Sequence, residues 1–213
     1  MNWIFIHGLG QKPSSWNKVK DHLSADRKIS CPDLFSFPDN GEAVYGRLYQ
    51  AFEKYCADTG EAVNLCGISL GAVLALNYAV DHPEKVKSFI LIAPQYRMPR
   101  LLLKLQNLIF HLLPENLFRA SGIDKKTMIR LTNSMMSLDF RSGLCEISVP
   151  VLILCGQKDK ANLKAAERLA DLVPGAELRR IPNAGHEVNQ EAPEEMAACI
   201  EEFSRRIAAP VTE

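Results

Sequence analysis

The sequence predicts an α/β fold: a mostly parallel six-stranded sheet with helices on both faces and a short helical cap. Three observations lead there. Six short apolar runs alternate with stretches of helical periodicity along the 213 residues. The strand-like runs are apolar almost without a break, as in Val151-Leu152-Ile153-Leu154-Cys155, which suits strands covered on both faces of a parallel sheet. The composition, 47% hydrophobic and 23% charged, fits one globular unit with a sizeable core, so residues 1–213 are read as a single domain.

The first predicted strand is 3–7, followed by a Gly-rich turn and a helix over 15–23. Residues 28–31 form a short second strand that Pro32 ends. A helix is expected from about 41 to 59, where Val44, Leu48, Ala51, Phe52 and Tyr55 recur at helical spacing. Residues 63–67 are the third strand, and 70–82 a helix that Pro83 stops. The fourth strand is 86–93, the fifth 149–155 and the sixth 177–181, with helices over 163–172 and 193–207. Residues 208–213 read as a frayed tail.

Residues 95–143 break the alternation. They hold the apolar runs 101–105 and 108–113, then Met128, Met135 and Met136. A helical insertion there would cap the C-terminal edge of the sheet. The run 101–113 is apolar nearly all round, so burial on more than one side is expected. Packing on the domain, a cap lining an apolar substrate pocket, and a dimer contact all remain open, so either monomer or homodimer is compatible. In the second case Leu105, Ile109 and Met135 are the candidate substrate contacts.

Several function classes recede on composition. Lys+Arg and Asp+Glu both number 25, so no basic excess points to nucleic acid or anionic lipid. No run approaches the ~18 apolar residues of a membrane span, and the opening residues lack the basic segment of a signal peptide. The cysteines at 31, 56, 66, 145, 155 and 199 lack metal-type spacing. They read as reduced residues of a cytoplasmic protein, with no metal or cofactor implied.

The chemistry concentrates in Gly67-Ile68-Ser69-Leu70-Gly71, at a strand-to-helix turn. Such a turn is tight enough to strain the serine backbone, and glycines at both sides remove side chains that would collide. The hydroxyl then stands at the C-terminal edge of the sheet. A serine needs a base, and the base an orienting acid. His186 follows the sixth strand beside Gly185, which would let the loop turn tightly. Asp159 follows the fifth strand between Lys158 and Lys160, which could lower its pKa or simply be solvated. Asp139 and Asp124 are rivals within or beside the insertion. His22 and His82 read as solvated, and His111 as part of the cap. The order Ser69, Asp159, His186 is that of the nucleophile-elbow class. Oxyanion donors would be the backbone N–H groups of Leu70 and of Leu9, in the loop His7-Gly8-Leu9-Gly10 after the first strand. His7 is expected to hold that loop.

Together with Pro32-Asp33-Leu34, the run 149–159 and the run 185–194, these motifs resemble the α/β-hydrolase superfamily over nearly the whole chain. The resemblance implies a minimal sheet lacking the family's first two strands. It also implies a Ser69–His186–Asp159 triad acting on a small carboxylic ester or thioester through an acyl-enzyme. A C–C hydrolase, a lyase-type relative such as the menaquinone-pathway synthase, and a non-catalytic ligand-binding hydrolase fold are the other readings. For the lyase, Arg97, Arg100, Arg119 and Arg130 could meet a substrate carboxylate. The loop 34–38 departs from the glycines common in relatives.

Overall fold

In the computed structural model, which describes residues 2–37, 44–118 and 123–209, six strands form one parallel sheet. They are β1 (Asn2–Ile6), β2 (Lys28–Ser30), β3 (Val63–Ile68), β4 (Val86–Ile92), β5 (Val151–Gly156) and β6 (Glu177–Ile181). Their order is β2-β1-β3-β4-β5-β6. From β1 the chain first builds outward to β2, then returns to add β3 on the other side. Loops leaving β1 and β3 therefore part at their C-terminal ends and open a crevice there, the place where parallel sheets bind ligands.

Alternation along each strand divides the core. Ile4 and Ile6 face one side with Leu65, Phe89, Leu91 and Ile153. Trp3 and Phe5 face the other with Cys66, Ile90 and Leu152. The first side is covered by α2 (Tyr45–Ala57), α3 (Leu70–Asp81) and α6 (Lys160–Leu172). The second is covered by α1 (Asn17–Lys20) and α8 (Pro193–Ala208). A four-residue helix, α7 (Val188–Glu191), precedes α8. In α3 every residue from Leu70 to Ala79 is buried, which explains why its sequence shows no polar face.

Local chemistry moves some boundaries. The helix expected over 15–23 is a 3₁₀ turn, Pro13–Trp16, running into α1. The expected start of α2 at 41–43 lies outside the described residues, as does the tail from 210. Helix α6 begins at Lys160 because the Asp159 carboxylate caps it, accepting from the Asn162 N–H. The fifth strand begins at Val151, after Pro150, whose carbonyl accepts from the Phe89 N–H at 3.1 Å.

Between β4 and β5 lie α4 (Arg100–Leu112), a 3₁₀ turn at Glu115–Leu117 and α5 (Lys125–Met135). The ends of this insertion are zipped together. Met98 donates to the Leu138 carbonyl at 3.1 Å, Phe140 to that of Tyr96 at 2.9 Å, and Arg97 bridges Asp139 antiparallel. Helix α4 corrects the expectation of burial on more than one side. Leu103, Gln106, Asn107 and Phe110 turn toward the domain, and Asn107 alone among the helix residues is buried. Leu101 and Leu112 are 83% and 79% exposed. The contact of α4 with α5 is partly polar: Thr132 Oγ1 donates to Asn107 Oδ1, and Asn107 Nδ2 to Asn133 Oδ1 at 2.7 Å. Such a seam covers one face of a helix and leaves the rest to solvent.

Candidate active site

Ser69 stands between β3 and α3 with φ 54° and ψ −112°, a conformation costing ~1–3 kcal/mol in a residue with a Cβ. The fold enforces it. A Cβ added at Gly67 would lie 2.2 Å from the Gly71 carbonyl oxygen, and one at Gly71 2.1 Å from that of Ile6. The helix start is thus pressed against the end of β1, which leaves a sharp turn as the only connection. The Ser69 N–H is anchored to the Ile92 carbonyl of β4 at 2.9 Å.

His186 and Asp159 meet as the chain order suggested. His186 Nδ1 lies 2.8 Å from Asp159 Oδ2. The carboxylate side chain is 5% exposed and the imidazole 45%. Burial alone would raise the Asp159 pKa, but hydrogen bonds from His186 and Asn162 outweigh it and hold the carboxyl below its ordinary value. The same bond to Asp159, against a smaller opposing effect of burial, raises His186 above its ordinary 6.5. Of the two readings left open for the flanking lysines, a role in depressing Asp159 finds no support among the causes, where Asn162 stands beside His186.

Asn162 is a residue the sequence reading missed. Its Nδ2 lies 2.9 and 2.8 Å from the two Asp159 oxygens, and its Oδ1 accepts from Gln95 Nε2 at 2.8 Å. Gln95 fixes which way the amide faces. Asn162 Nδ2 also approaches His186 Nδ1 to 3.1 Å. With Nδ1–H given to Asp159, that approach is a contact between two donors, which leaves Nε2 as the ring nitrogen able to accept a proton. A visible signal existed: an Asn three residues past an Asp at a helix start is a capping pattern.

The rival acids are engaged elsewhere. Asp124 caps α5 through the Thr127 N–H at 2.8 Å. Asp139 pairs with Arg141 at 2.7 Å and Arg97 at 3.6 Å. His82 corrects its reading as solvated, since Nε2 lies 2.5 Å from Glu53 Oε1.

His7, fully buried, accepts from the Leu34 N–H through Nε2 at 3.1 Å. Its Nδ1 lies 3.0 Å from the Gly8 carbonyl oxygen, so the proton belongs on Nδ1. Burial lowers its pKa. Gln11 ties this loop to the one bearing His186. Its Oε1 accepts from the Gly8 N–H at 3.2 Å, and its Nε2 donates to Glu187 and Asn189 at 3.0 and 3.2 Å. Gly185 is not the glycine that the His186 loop depends on. An added Cβ there would meet only the Glu191 carboxylate, whereas at Gly156 it would fall 2.1 Å from the Gly185 carbonyl oxygen.

Ser69, Asp159 and His186 line one cavity of about 550 Å³, together with Leu9 and Leu70. Leu70 opens α3, so its N–H has no intrahelical acceptor. From the insertion come Leu103, Gln106, Phe110, Met128 and Met135. Met135, a candidate substrate contact, thus lines the cavity. Leu105 and Ile109 are corrected: they stand on the outward side of α4, 54% and 47% exposed, and do not line the cavity. The helical phase decides this, since Leu103, Gln106 and Phe110 repeat at three and seven residues and occupy the inward arc. Among the described residues no group of three or more His, Cys, Asp or Glu could hold a metal ion.

Comparisons with known proteins bear on the fold and the family. The chain is 22% identical to a pimeloyl-(acyl-carrier protein) methyl ester esterase of Nitrosomonas europaea, over 93% of each chain. It is also 22% identical to a Bacillus subtilis (strain 168) protein with the provisional name 2-succinyl-6-hydroxy-2,4-cyclohexadiene-1-carboxylate synthase, over 94% of this chain and 89% of that one. A solved thermophilic esterase from Thermogutta terrifontis superposes with a TM-score of 0.80 at 21% identity, over 98% of this chain and 91% of that one. The family model described as "Alpha/beta hydrolase family" matches residues 3–199. With a strained serine at the β3–α3 elbow, a histidine and carboxylate after the last two strands, and that match over most of its length, the chain belongs to the α/β-hydrolase family.

Proposed function

We propose that the protein is a serine hydrolase that cleaves a carboxylic ester or thioester of a small, largely apolar substrate. The reading is carried by one observation: a strained Ser69 shares an apolar-walled cavity with a His186 already bonded to a buried carboxylate. Ser69 Oγ attacks the acyl carbonyl carbon while His186 Nε2 takes its proton. Asp159 holds the ring and stabilises the imidazolium. The Leu9 and Leu70 N–H groups receive the oxyanion, each worth roughly 3 kcal/mol. The tetrahedral adduct collapses as His186 protonates the leaving oxygen or sulfur. Water, deprotonated by His186, then attacks the acyl-serine, and a second collapse releases the acid and restores Ser69. Helices α4 and α5 serve as the cap, with Phe110, Met128 and Met135 as acyl contacts. The esterase relative supports this assignment.

A lyase-type reaction on the same residues is the second reading, favoured by the Bacillus subtilis relative. A fluorophosphonate probe tests the nucleophile: labelling of the intact protein is expected, and its loss in both Ser69→Ala and His186→Ala. Absence of labelling in the intact protein would refute serine catalysis. Turnover of p-nitrophenyl esters of rising acyl length separates the reactions. Labelling without turnover at any length would favour the lyase. Ser69→Ala should lower kcat about 10⁶-fold.

A further inference from the structure

Of the seven large apolar side chains exposed among the described residues, six lie on α4: Leu101, Leu102, Leu105, Leu108, Ile109 and Leu112. At about 100° per residue they fill one continuous arc of roughly 120°. The inward residues, from Leu103 to Phe110, fill the opposite arc. Arg100, Lys104 and His111 fill the narrow sector between, and all three are exposed. Helix α4 carries no acidic residue. The charge extends beyond the helix: residues 95–143 hold eight Lys and Arg against three Asp and Glu, in a chain whose total is neutral. The apolar arc also reaches the catalytic cavity, because Leu102 is 51% exposed and lines its rim.

An amphipathic helix with an outward apolar arc and a basic flank is built for the boundary between lipid head groups and acyl chains. No helix of the described residues is long and apolar enough to span a membrane, so lying in the surface is the geometry left. A second copy of the chain fits less well. Packing arc to arc with the helices antiparallel would put the basic flanks of both copies, Lys104 nearest its counterpart, on one rim, and packing them parallel would leave each basic flank beside a rim with no acidic residue from α4. An acidic soluble protein would match the charge, but would leave a run of six large apolar side chains against a polar surface.

We propose that α4 docks the protein on an anionic lipid surface, its leucines among the acyl chains and Arg100 and Lys104 at the head-group phosphates, with the mouth of the Ser69 cavity beside the bilayer. The docking stands on α4 alone. That an ester drawn from the surface is the substrate rests on the hydrolase reading above.

Cosedimentation with vesicles tests it. Binding is expected to vesicles of phosphatidylcholine with 30 mol% phosphatidylglycerol, at least tenfold tighter than to phosphatidylcholine alone, and weakened by 0.5 M NaCl. Leu108→Glu and Leu112→Glu, both on the outward arc, should each weaken binding about tenfold or more. Both should leave fluorophosphonate labelling and turnover of a soluble short ester unchanged. Lys104→Glu should remove the preference for the anionic vesicle. The proposal is overturned if the intact protein does not sediment with anionic vesicles, or if the glutamate variants bind as well as wild type. It is equally overturned if those variants instead dissolve a dimer, or abolish binding to an acidic soluble protein that the vesicles do not compete for. Vesicle binding by a protein that fails the labelling test would refute the hydrolase reading and leave the docking intact.

Discussion

Asp159 and His186 pull each other's proton affinity apart, the carboxyl downward and the imidazole upward. The base works only when neutral, so kcat/KM should rise with pH along a limb centred above 6.5. In Asp159→Asn the raising charge is gone. Activity should fall about 10⁴-fold, and the remaining limb should move to lower pH; a pH–rate profile of the two proteins checks both. The pair's contribution to stability follows the same signs. Asp159's share is lost as pH falls through its depressed pKa, and His186's share as pH rises through its elevated one. Asn162→Ala removes donors to both carboxylate oxygens. A hydrogen bond to a charged group is worth ~1.5–3 kcal/mol, so kcat should drop roughly tenfold to a hundredfold. Asp159 should then titrate higher, which NMR of the carboxyl would register, while a purely structural role for Asn162 would leave that titration in place. The triad positions were legible in the sequence because strand ends fix them. Gln95 was not, because it acts through Asn162, 67 residues away in the chain; Asn162 carried only the local capping signal, which does not show that its amide reaches both Asp159 oxygens.

Elements explain what the pattern alone could not. The elbow glycines are written in the motif, but the reason for each is a different backbone. Gly71→Ala would drive a Cβ into the Ile6 carbonyl at 2.1 Å. Neither strand nor helix can give there, so a loss of at least ~2–3 kcal/mol is expected, a fall in Tm of about 5–10 °C by calorimetry. Gly185→Ala would bring a Cβ to 3.0 Å from the Glu191 carboxylate, which accepts from the Gly185 and Glu187 N–H groups; a shift of a few tenths of an ångström suffices there, so its loss in Tm should be much smaller than that of Gly71→Ala. Periodicity found α4 but misjudged its surroundings. Leucine in such number normally means burial, and no window of sequence shows that the facing helix presents Thr132 and Asn133. The far end of α4 is pinned by Lys125, whose Nζ donates to the His111 and Leu113 carbonyls at 2.6 and 2.8 Å. Cations belong at helix C-termini. Lys125→Met should therefore loosen the end of α4, seen as faster amide exchange over 109–113 with little change in Tm.

At the scale of the whole molecule the formal charge is zero, yet it is unevenly placed. The insertion is basic and the remainder acidic. Composition therefore gave no sign of an anionic partner for the chain as a whole and was silent about one face of it. An anionic ester should meet the cavity mouth faster than a neutral one. Its kcat/KM is expected to fall between 20 and 500 mM salt, while that of a neutral ester of equal size stays level, and steady-state kinetics at several ionic strengths checks this. The number and succession of strands were legible because apolar runs and turn residues punctuate the chain regularly; their spatial order was not read from the sequence. The depth of the cavity was not, since it depends on how far one inserted helix leans on another.

The closed neck at Met98–Leu138 and Tyr96–Phe140 has a consequence for descent as well as for architecture. Everything between those bonds leaves the sheet and returns to it at one spot, while residues 141–150 alone make the return passage to β5. The two helices differ in how they are tied down. Helix α5 is sewn to the body, with Leu131 and Met135 in the core and Ser134 Oγ accepting from the Tyr45 N–H at 2.8 Å. The outward side of α4 touches neither sheet nor core, so a change of length or charge there would alter what meets the cavity mouth without pulling on the strands that carry Ser69, Asp159 and His186.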